Sequence, residues 1–334
     1  MFIKILTFIL TSVAIYFVIA LVLIFSQSPS IPDTAGEGES NMLFEAAIDA
    51  DYSDLPELVK FSARDRAKLG YRFYQSAAPA NRMIILVHGS SWHGMQFHKM
   101  ATAFSKAGLG HVILPDLRGH GPEAVTRGTI DHISQLEEDM ADMIDHLKLA
   151  YGGDKEIVLG GHSSGGGFVV RFASGGNGEM ADRIILLAPF LKYDAPTTKP
   201  DSGNWAFAAL RRIIGLSMLN GAGIHALDHL PVIKFNMPKS ILESDLGPTA
   251  TVEYSHALST GIAPRFDFTG DLSRIKQSVL LIVGSEDEAF YADQYEPLMS
   301  QYLAEGQYKV LDGVNHIGLV FDEVAIKTIA QWME

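Results

Sequence analysis

The chain opens with an uninterrupted apolar segment. From Ile5 to Phe25 the sequence ILTFILTSVAIYFVIALVLIF carries no charge, and its polar groups are Thr, Ser and Tyr hydroxyls. A helix of this length, with a rise of about 1.5 Å per residue, crosses a hydrocarbon layer of about 30 Å. A cleavable signal peptide usually has a shorter apolar region of about 7–15 residues. The pattern therefore favours a retained transmembrane anchor over residues 1–26.

The charges that flank this segment predict its orientation. Lys4 precedes it, whereas residues 27–59 contain no Lys or Arg and several acids, including Asp33, Glu37 and Glu39. Because positive charge is retained on the cytoplasmic side, we expect a cytoplasmic N-terminus. The main domain would then lie outside, in the periplasm or the extracellular space.

A polar linker is predicted after the anchor. Residues 26–42 are rich in Ser, Pro, Gly and acid, which is typical of a solvated connection. We assign the linker to residues 27–45 and one folded domain to residues 46–334.

Within that domain, short apolar runs alternate with helical patterns. Nearly continuous apolar strands are typical of a parallel sheet that is covered on both faces. The predicted strands are 82–89, 111–116, 156–163, 183–189, 279–284 and 308–313, and the predicted helices are 96–107, 134–150 and a segment that begins at Ser164.

The alternation is interrupted between about residues 191 and 272. This stretch contains amphipathic segments such as 207–219 and no convincing strand. We interpret it as a mostly helical cap over the strand ends. Its apolar residues would either cover a substrate's acyl group or pack the cap onto the core: Trp205, Phe207, Leu210, Ile213, Ile214 and Met218.

Composition excludes several classes of function. A formal net charge of −13 leaves no basic surface on average for nucleic acid. The chain has no cysteine, which excludes disulfides, thiolate metal sites and a cysteine nucleophile. His93, His98, His162 and His225 do not show metal-ligand spacing in company with acids, and we predict no metal site.

The motif Gly161-His162-Ser163-Ser164-Gly165 matches G-x-S-x-G. It directly follows a predicted strand and opens a predicted helix, as a nucleophile elbow requires. Glycines on both sides of Ser163 allow a sharp turn and a close approach of helix and strand. We therefore predict that Ser163 is a nucleophile, near which the helix dipole favours negative charge. The alternative is a glycine-rich turn with a capping serine.

A serine hydroxyl needs a base, and chain order selects His316. In this architecture the triad runs serine, acid, histidine, on turns after successive strands. His316 follows the last predicted strand and is the one histidine downstream of Asp287. We predict that His316 accepts the Ser163 proton.

The position of Asp287 after the strand 279–284 favours it as the acid. It would fix the histidine tautomer and stabilise the imidazolium without itself being protonated. Glu286 and Glu288 adjoin it, and Asp194 follows the preceding strand, so these three acids remain alternatives.

Two backbone amides are expected to form an oxyanion hole. One is that of Ser164, the residue after the nucleophile, and the other lies in the loop after the first central strand. Gly89 allows the backbone there to approach a reacting carbonyl, so we predict Ser90 as the second donor and Ser91 as the alternative. His88 is interpreted as a structural loop residue.

These motifs together resemble the α/β-hydrolase superfamily from about Tyr71 to the C-terminus. They comprise His88-Gly89, the D-x-R-G-H-G turn at Asp116–Gly121, the elbow, and the G-x-x-D and N-H loops at Asp287 and His316. The sequence is most similar to the lysophospholipase, monoacylglycerol lipase and serine-aminopeptidase-like branch. The elbow departs from that branch in reading GHSSGG where GHSMGG is common, and the anchor is an addition.

The resemblance implies a mostly parallel sheet with helices on both faces and a helical cap inserted after the sixth strand. It also implies carboxylic-ester hydrolysis without a cofactor. We therefore predict a membrane-anchored serine hydrolase that acts on an ester, possible substrates being a lysophospholipid or an acylglycerol. The alternatives are a thioesterase, a carbon–carbon bond hydrolase, a cofactor-free haloperoxidase or an aminopeptidase on the same triad, or a non-catalytic binding protein on this fold.

Overall fold

An eight-stranded sheet organises the chain. The computed structural model describes residues 1–38, 40–153 and 155–334. In these residues the helices are α1 (Phe2–Phe25), α2 (Glu45–Ile48), α3 (His98–Lys106), α4 (Gln135–Tyr151), α5 (Ser164–Ala173), α6 (Asp201–Asn204), α7 (Leu210–Gly221), α8 (Lys239–Leu242), α9 (His256–Ile262), α10 (Phe268–Arg274), α11 (Tyr295–Met299) and α12 (Glu323–Met333). The strands are β1 (Leu58–Ser62), β2 (Lys68–Tyr74), β3 (Arg82–Val87), β4 (His111–Pro115), β5 (Glu156–His162), β6 (Arg183–Leu187), β7 (Ala206–Ala208), β8 (Pro231–Phe235), β9 (Glu253–Ser255), β10 (Ser278–Gly284) and β11 (Gly306–Leu311).

The main sheet has the order β1-β2-β4-β3-β5-β6-β10-β11. The pairs from β4 to β11 are parallel, and β1 and β2 add an antiparallel edge. Strands β3, β5, β6 and β10 are buried at almost every residue, so both faces of the sheet are covered. This confirms the predicted α/β-hydrolase fold and places the six predicted strands at β3, β4, β5, β6, β10 and β11.

Strands β1 and β2 were not predicted. β1 is the edge strand of the sheet and β2 lies beside it, and β1 is exposed at most of its positions. The sequence of a strand with one solvent-exposed face has fewer consecutive apolar residues than that of a central parallel strand.

The cap follows β6, the sixth strand, as predicted, but it contains strands as well as helices. In it β7, β8 and β9 form an antiparallel sheet with pairs such as Ala206 with Phe235 and Lys234 with Glu253. The cap is mostly helical, as predicted, but its three short strands were not predicted. Two of these strands have three residues each, which is too short for a period-2 pattern to emerge.

The segment predicted as a solvated linker is packed against the domain instead. Met42 and Phe44 are 4% and 6% exposed and belong to the main core. The amide of Gly38 donates to Asn236 Oδ1 at 2.6 Å. The polar composition of residues 27–45 concealed two apolar side chains that are buried; Glu39, within that range, lies outside the described residues. We call residues 40–48 the strap.

Helix α1 is long and apolar enough to cross a membrane, and its last turns pack against α7 of the cap. Ala20 and Ile24 are fully buried there. Tyr16 Oη donates to the carbonyl of Met218 at 2.7 Å, and Arg212 Nε donates to the carbonyl of Ile24 at 3.0 Å. The two helices are therefore antiparallel, and the cap is joined to the apolar N-terminal helix.

Two buried histidines form hydrogen bonds that stabilise the loops after β3 and β4. His88 Nε2 accepts the amide of Leu117 at 3.2 Å, and its Nδ1 donates to the carbonyl of Gly89 at 2.8 Å. His120 is hydrogen-bonded to the hydroxyl of Tyr254 in the cap. Burial lowers the pKa of His88 to about 4, and burial together with the neighbouring His88 lowers the pKa of His120. Both rings are therefore neutral structural groups near pH 7.

The contact of α1 with α7 depends on Gly215. A Cβ atom at this position would lie 2.5 Å from the carbonyl oxygen of Ala20. We expect Gly215→Ala to lower the free energy of unfolding by about 1–3 kcal/mol through overpacking, although alanine favours a helix more than glycine does. Gly221→Ala, at a position of α7 with open space around it, is the matched control. Denaturant unfolding of the full chain in detergent measures both, and equal stability of the two variants would contradict this packing.

The buried histidines predict a loss of stability in acid. In the unfolded chain His88 regains a pKa near 6.5, so unfolding takes up a proton between pH 6.5 and about 4. Stability therefore falls as pH drops through this interval, by about 1 kcal/mol at pH 5.5 for His88 alone. Denaturant titrations at pH 7.5, 6.5 and 5.5 measure the dependence. We expect His88→Asn to reduce it and His132→Gln, at an exposed site, to leave it unchanged; equal pH dependence in all three proteins would contradict a neutral buried His88.

Candidate active site

Ser163 lies on a strained turn between β5 and α5. Its φ of 54° and ψ of −122° fall in a region that non-glycine residues seldom adopt. A Cβ atom at Gly161 would lie 2.4 Å from the carbonyl oxygen of Gly165, and one at Gly165 would lie 2.3 Å from that of His88. The G-x-S-x-G spacing is thus required by two close backbone approaches.

Hydrogen bonds on both sides hold this backbone in place. The amide of Ser163 donates to the carbonyl of Leu187 at 2.9 Å. Its own carbonyl accepts the amides of Gly167 at 3.0 Å and Phe190 at 2.9 Å. The end of β6 and the first turn of α5 therefore stabilise the strained conformation of Ser163.

His316 and Asp287 form a close buried pair. His316 Nδ1 lies 2.6 Å from Asp287 Oδ2, and the two residues are 1% and 0% exposed. The other carboxylate oxygen, Oδ1, accepts the amides of Ala289 at 2.9 Å and Phe290 at 2.8 Å. An ionised carboxylate only accepts hydrogen bonds, so Nδ1 carries the proton and Nε2 of His316 is left as an acceptor.

The other candidate acids do not contact the imidazole among the described residues. Asp194 is half exposed and pairs with Lys192 at 3.3 Å. Glu288 Oε2 accepts the backbone amide of His316 at 2.8 Å, and its Oε1 accepts the amide of Leu43 at 3.0 Å. Glu288 therefore positions the backbone of His316, a role that its place beside Asp287 in the sequence did not reveal.

Ser163 and His316 line one cavity beneath the cap, with about 360 Å³ of empty volume. In the part of the chain that the structure describes, the Ser163 hydroxyl makes no hydrogen bond with His316. In many hydrolases this contact tightens only when substrate is bound. The remaining lining residues are Met42, Phe44, Ala47, Gly89, Ser90, Trp92, Gln96, His162, Trp205 and Ile317.

Sequence reasoning missed His162 and Gln96, which join the parts of the site. His162 Nε2 donates to the carbonyl of His316 at 3.0 Å, and Gln96 Nε2 donates to His162 Nδ1 at 2.8 Å. Gln96 Oε1 accepts the amide of Gly89 at 2.8 Å. Burial, reinforced by the nearby His316, lowers the pKa of His162 well below its usual value, so its ring stays neutral. His162 stood at an unspecified position of the elbow motif, which carried no signal for this role.

Some backbone amides in the loop after β3 donate hydrogen bonds within the structure and others do not. Gly89 donates to Gln96, and Ser91 donates to the hydroxyl of Tyr254 at 2.9 Å. The alternative expectation that Ser91 supplies an oxyanion donor is therefore wrong. Among the described residues, the amides of Ser90 and Ser164 make no hydrogen bond.

The turn Asp116–Gly121 is held by ion pairs. Asp116 Oδ1 accepts the amide of Gly94 at 2.8 Å and lies 3.6 Å from Arg72 Nη1. Arg118 forms a two-pronged ion pair with Asp139, both contacts being 2.8 Å.

Across the described residues, no group of three or more His, Asp or Glu side chains is arranged to hold a metal ion.

Comparison with known proteins agrees with this geometry. A family model described as "Serine aminopeptidase, S33" matches residues 78–322. A monoacylglycerol lipase of Mycolicibacterium smegmatis is 32% identical over 108 residues, which are 31% of this chain and 36% of that protein. The proline iminopeptidase PfmaB of Pestalotiopsis fici is 24% identical over 300 residues, which are 83% of this chain and all of that protein. The chain matches only about a third of the length of the mycobacterial relatives.

Solved structures share the fold. A soluble variant of monoglyceride lipase from Saccharomyces cerevisiae superimposes with a TM-score of 0.61 at 17% identity, over 84% of this chain and 95% of that one. The monoacylglycerol lipase of Paleococcus ferrophilus gives a TM-score of 0.59 at 20% identity, over 80% and 98% of the two chains. Since the family model covers most of the chain and includes the elbow and both loops at the ends of β10 and β11, the chain belongs to the serine aminopeptidase S33 family of α/β-hydrolases.

Proposed function

We propose that this α/β-hydrolase is a membrane-anchored serine hydrolase that cleaves carboxylic esters through an acyl-enzyme on Ser163. The observation that carries the proposal is the buried Asp287–His316 pair, whose histidine lines the same cavity as a serine on a strained elbow. A nucleophile, a base and a group that orients the base are the minimal set for this chemistry.

The reaction follows from the tautomer of His316. Nε2 accepts the Ser163 proton as Oγ attacks the ester carbonyl carbon, and the carbonyl oxygen becomes an oxyanion. The free amides of Ser90 and Ser164 donate to that oxygen. His316 then protonates the departing alcohol, and water, deprotonated by the same nitrogen, cleaves the acyl-enzyme. Asp287 remains ionised throughout and stabilises the imidazolium.

The cavity favours an ester over an aminopeptidase substrate. An aminopeptidase has to bind a free ammonium group, for which a carboxylate is the usual partner. No Asp or Glu lines the described cavity, whose walls are mainly aromatic and aliphatic. The named function of the mycobacterial relative, monoacylglycerol lipase, supports a lipid ester as substrate.

The packing of α1 supports a retained anchor. Loss of the segment before residue 27 would expose Leu216, Leu219 and Val232, which are now buried against it. It would also remove the Ile24 carbonyl, which accepts a hydrogen bond from Arg212. The single basic residue ahead of the apolar run, Lys4, supports a cytoplasmic N-terminus and an external catalytic domain.

The triad is tested with p-nitrophenyl acyl esters and the full chain in detergent. We expect Ser163→Ala to abolish turnover and Asp287→Asn to lower kcat by about 10³–10⁴, because the amide favours the wrong histidine tautomer. Asp194→Asn, an exposed and chemically matched change, is expected to retain wild-type kcat. Full activity of Asp287→Asn, or loss of activity in Asp194→Asn alone, would overturn the assignment of the acid.

The absence of cysteine allows the anchor to be tested by single-cysteine labelling. Phe2→Cys and Val125→Cys place thiols at exposed sites, 77% and 73% exposed, on the two predicted sides of the membrane. In intact cells or spheroplasts we expect an impermeant maleimide to label the Val125→Cys variant. It should label the Phe2→Cys variant only after lysis. Recovery of a soluble chain that begins near residue 27 would show that the segment is cleaved.

A further inference from the structure

The strap contributes one wall of the cavity. Met42, Phe44 and Ala47 line it together with Ser163 and His316. All three strap residues are buried, with exposures of 3–6%. A segment that connects the N-terminal helix to the domain thus reaches the reacting centre.

The Phe44 ring lies next to two tryptophan rings, and one of these tryptophans contacts the loop that contains Ser90. Its ring centroid lies 5.6 Å from that of Trp205 and 6.1 Å from that of Trp92. Trp205 Nε1 donates to Ser90 Oγ at 3.2 Å. The Phe44 side chain is therefore separated from the proposed oxyanion loop by one aromatic residue.

The strap and the residues just before it are hydrogen-bonded to the rest of the domain. The amide of Leu43 donates to Glu288 Oε1, while the other oxygen of the same carboxylate accepts the amide of His316. Just before the strap, Asn236 of the cap accepts the amide of Gly38 and donates to the carbonyl of Gly36 at 3.0 Å. Since the strap is tied to the His316 loop and to the cap, Met42 and Phe44 are fixed walls and not part of a loose tail.

From this arrangement we infer that the strap closes the acyl end of the pocket and that Phe44 limits the length of the acyl chain. The inference rests on the proposed ester hydrolysis. In the arrangement that we infer, the ester oxygen is directed at the Ser90 and Ser164 amides and the acyl chain runs along the apolar wall that the strap supplies. The buried side chains of the strap and of Trp92 and Trp205 leave little enclosed space beside Ser163, so the expected substrates are esters of short acyl chains.

The test compares kcat/KM for p-nitrophenyl acetate, butyrate, octanoate and decanoate, which share one leaving group, using the full chain in detergent. The wild type should prefer acetate and butyrate. Because one methylene more or less in an apolar pocket changes kcat/KM by about tenfold or more, Phe44→Ala should raise the decanoate-to-acetate ratio at least about tenfold. Ile48→Ala changes an aliphatic strap residue that is 45% exposed and does not line the cavity, and it should leave the ratio unchanged.

Folding is checked by thermal unfolding of each variant. If Phe44→Ala does not fold, Phe44→Leu, which loses less volume, and Met42→Ala carry the same expectation of a shift towards longer chains. A chain-length profile identical to that of the wild type in a folded, active Phe44 variant would overturn the inference.

Failure of the proposed function would be seen separately. If no ester is hydrolysed by any of these proteins, the labelling rates of Ser163 by fluorophosphonates with ethyl and dodecyl chains replace kcat/KM. The serine displaces fluoride from phosphorus, and its proton leaves through His316. A higher ratio of dodecyl to ethyl labelling rates in Phe44→Ala than in the wild type and Ile48→Ala would support the inference that Phe44 limits chain length. Equal ratios would overturn it.

Discussion

The site depends on the close approach of two backbone segments, the end of β3 with its loop and the first turn of α5. A Cβ atom at Gly165 would lie 2.4 Å from the carbonyl oxygen of Val87, so glycine alone allows the two segments to meet. Ser90 and Ser163 line the same cavity, and Ser164 directly follows Ser163 in the chain. The strain at Ser163 is tolerated because β6 and α5 hold its backbone from both directions.

A chain of polar contacts carries this alignment to the base. Gln96 binds the amide of Gly89 and the ring of His162, and His162 binds the carbonyl of His316. The backbone of His316 is held a second time through its amide by Glu288. Since its ring is also held by Asp287, few degrees of freedom remain at the proposed base, which is the condition for an effective proton acceptor.

Sequence reasoning located what is set by local pattern and chain order. The central strands emerged from continuous apolar runs, and the order of serine, acid and histidine selected Asp287 and His316 before their contact was known. Gln96 was not predicted, and Glu288 was named only as an alternative acid, because no local pattern marks a polar residue that binds a backbone amide or ring from another part of the chain. The burial of Met42 and Phe44 was not predicted for another reason. The average composition of their segment is polar, and only tertiary packing shows that these two side chains are buried.

The N-terminal segment is connected to the site by two routes, and together they account for its unexpected order. Through α7 the apolar helix is packed against the cap, with Gly215 at the closest approach. Through the strap it continues into the cavity wall and shares the Glu288 carboxylate with the His316 backbone. A flexible linker would satisfy the need for tethering alone. The burial of Met42 and Phe44 offsets the conformational entropy that ordering this segment costs, and it places both side chains in the wall of the cavity that contains Ser163.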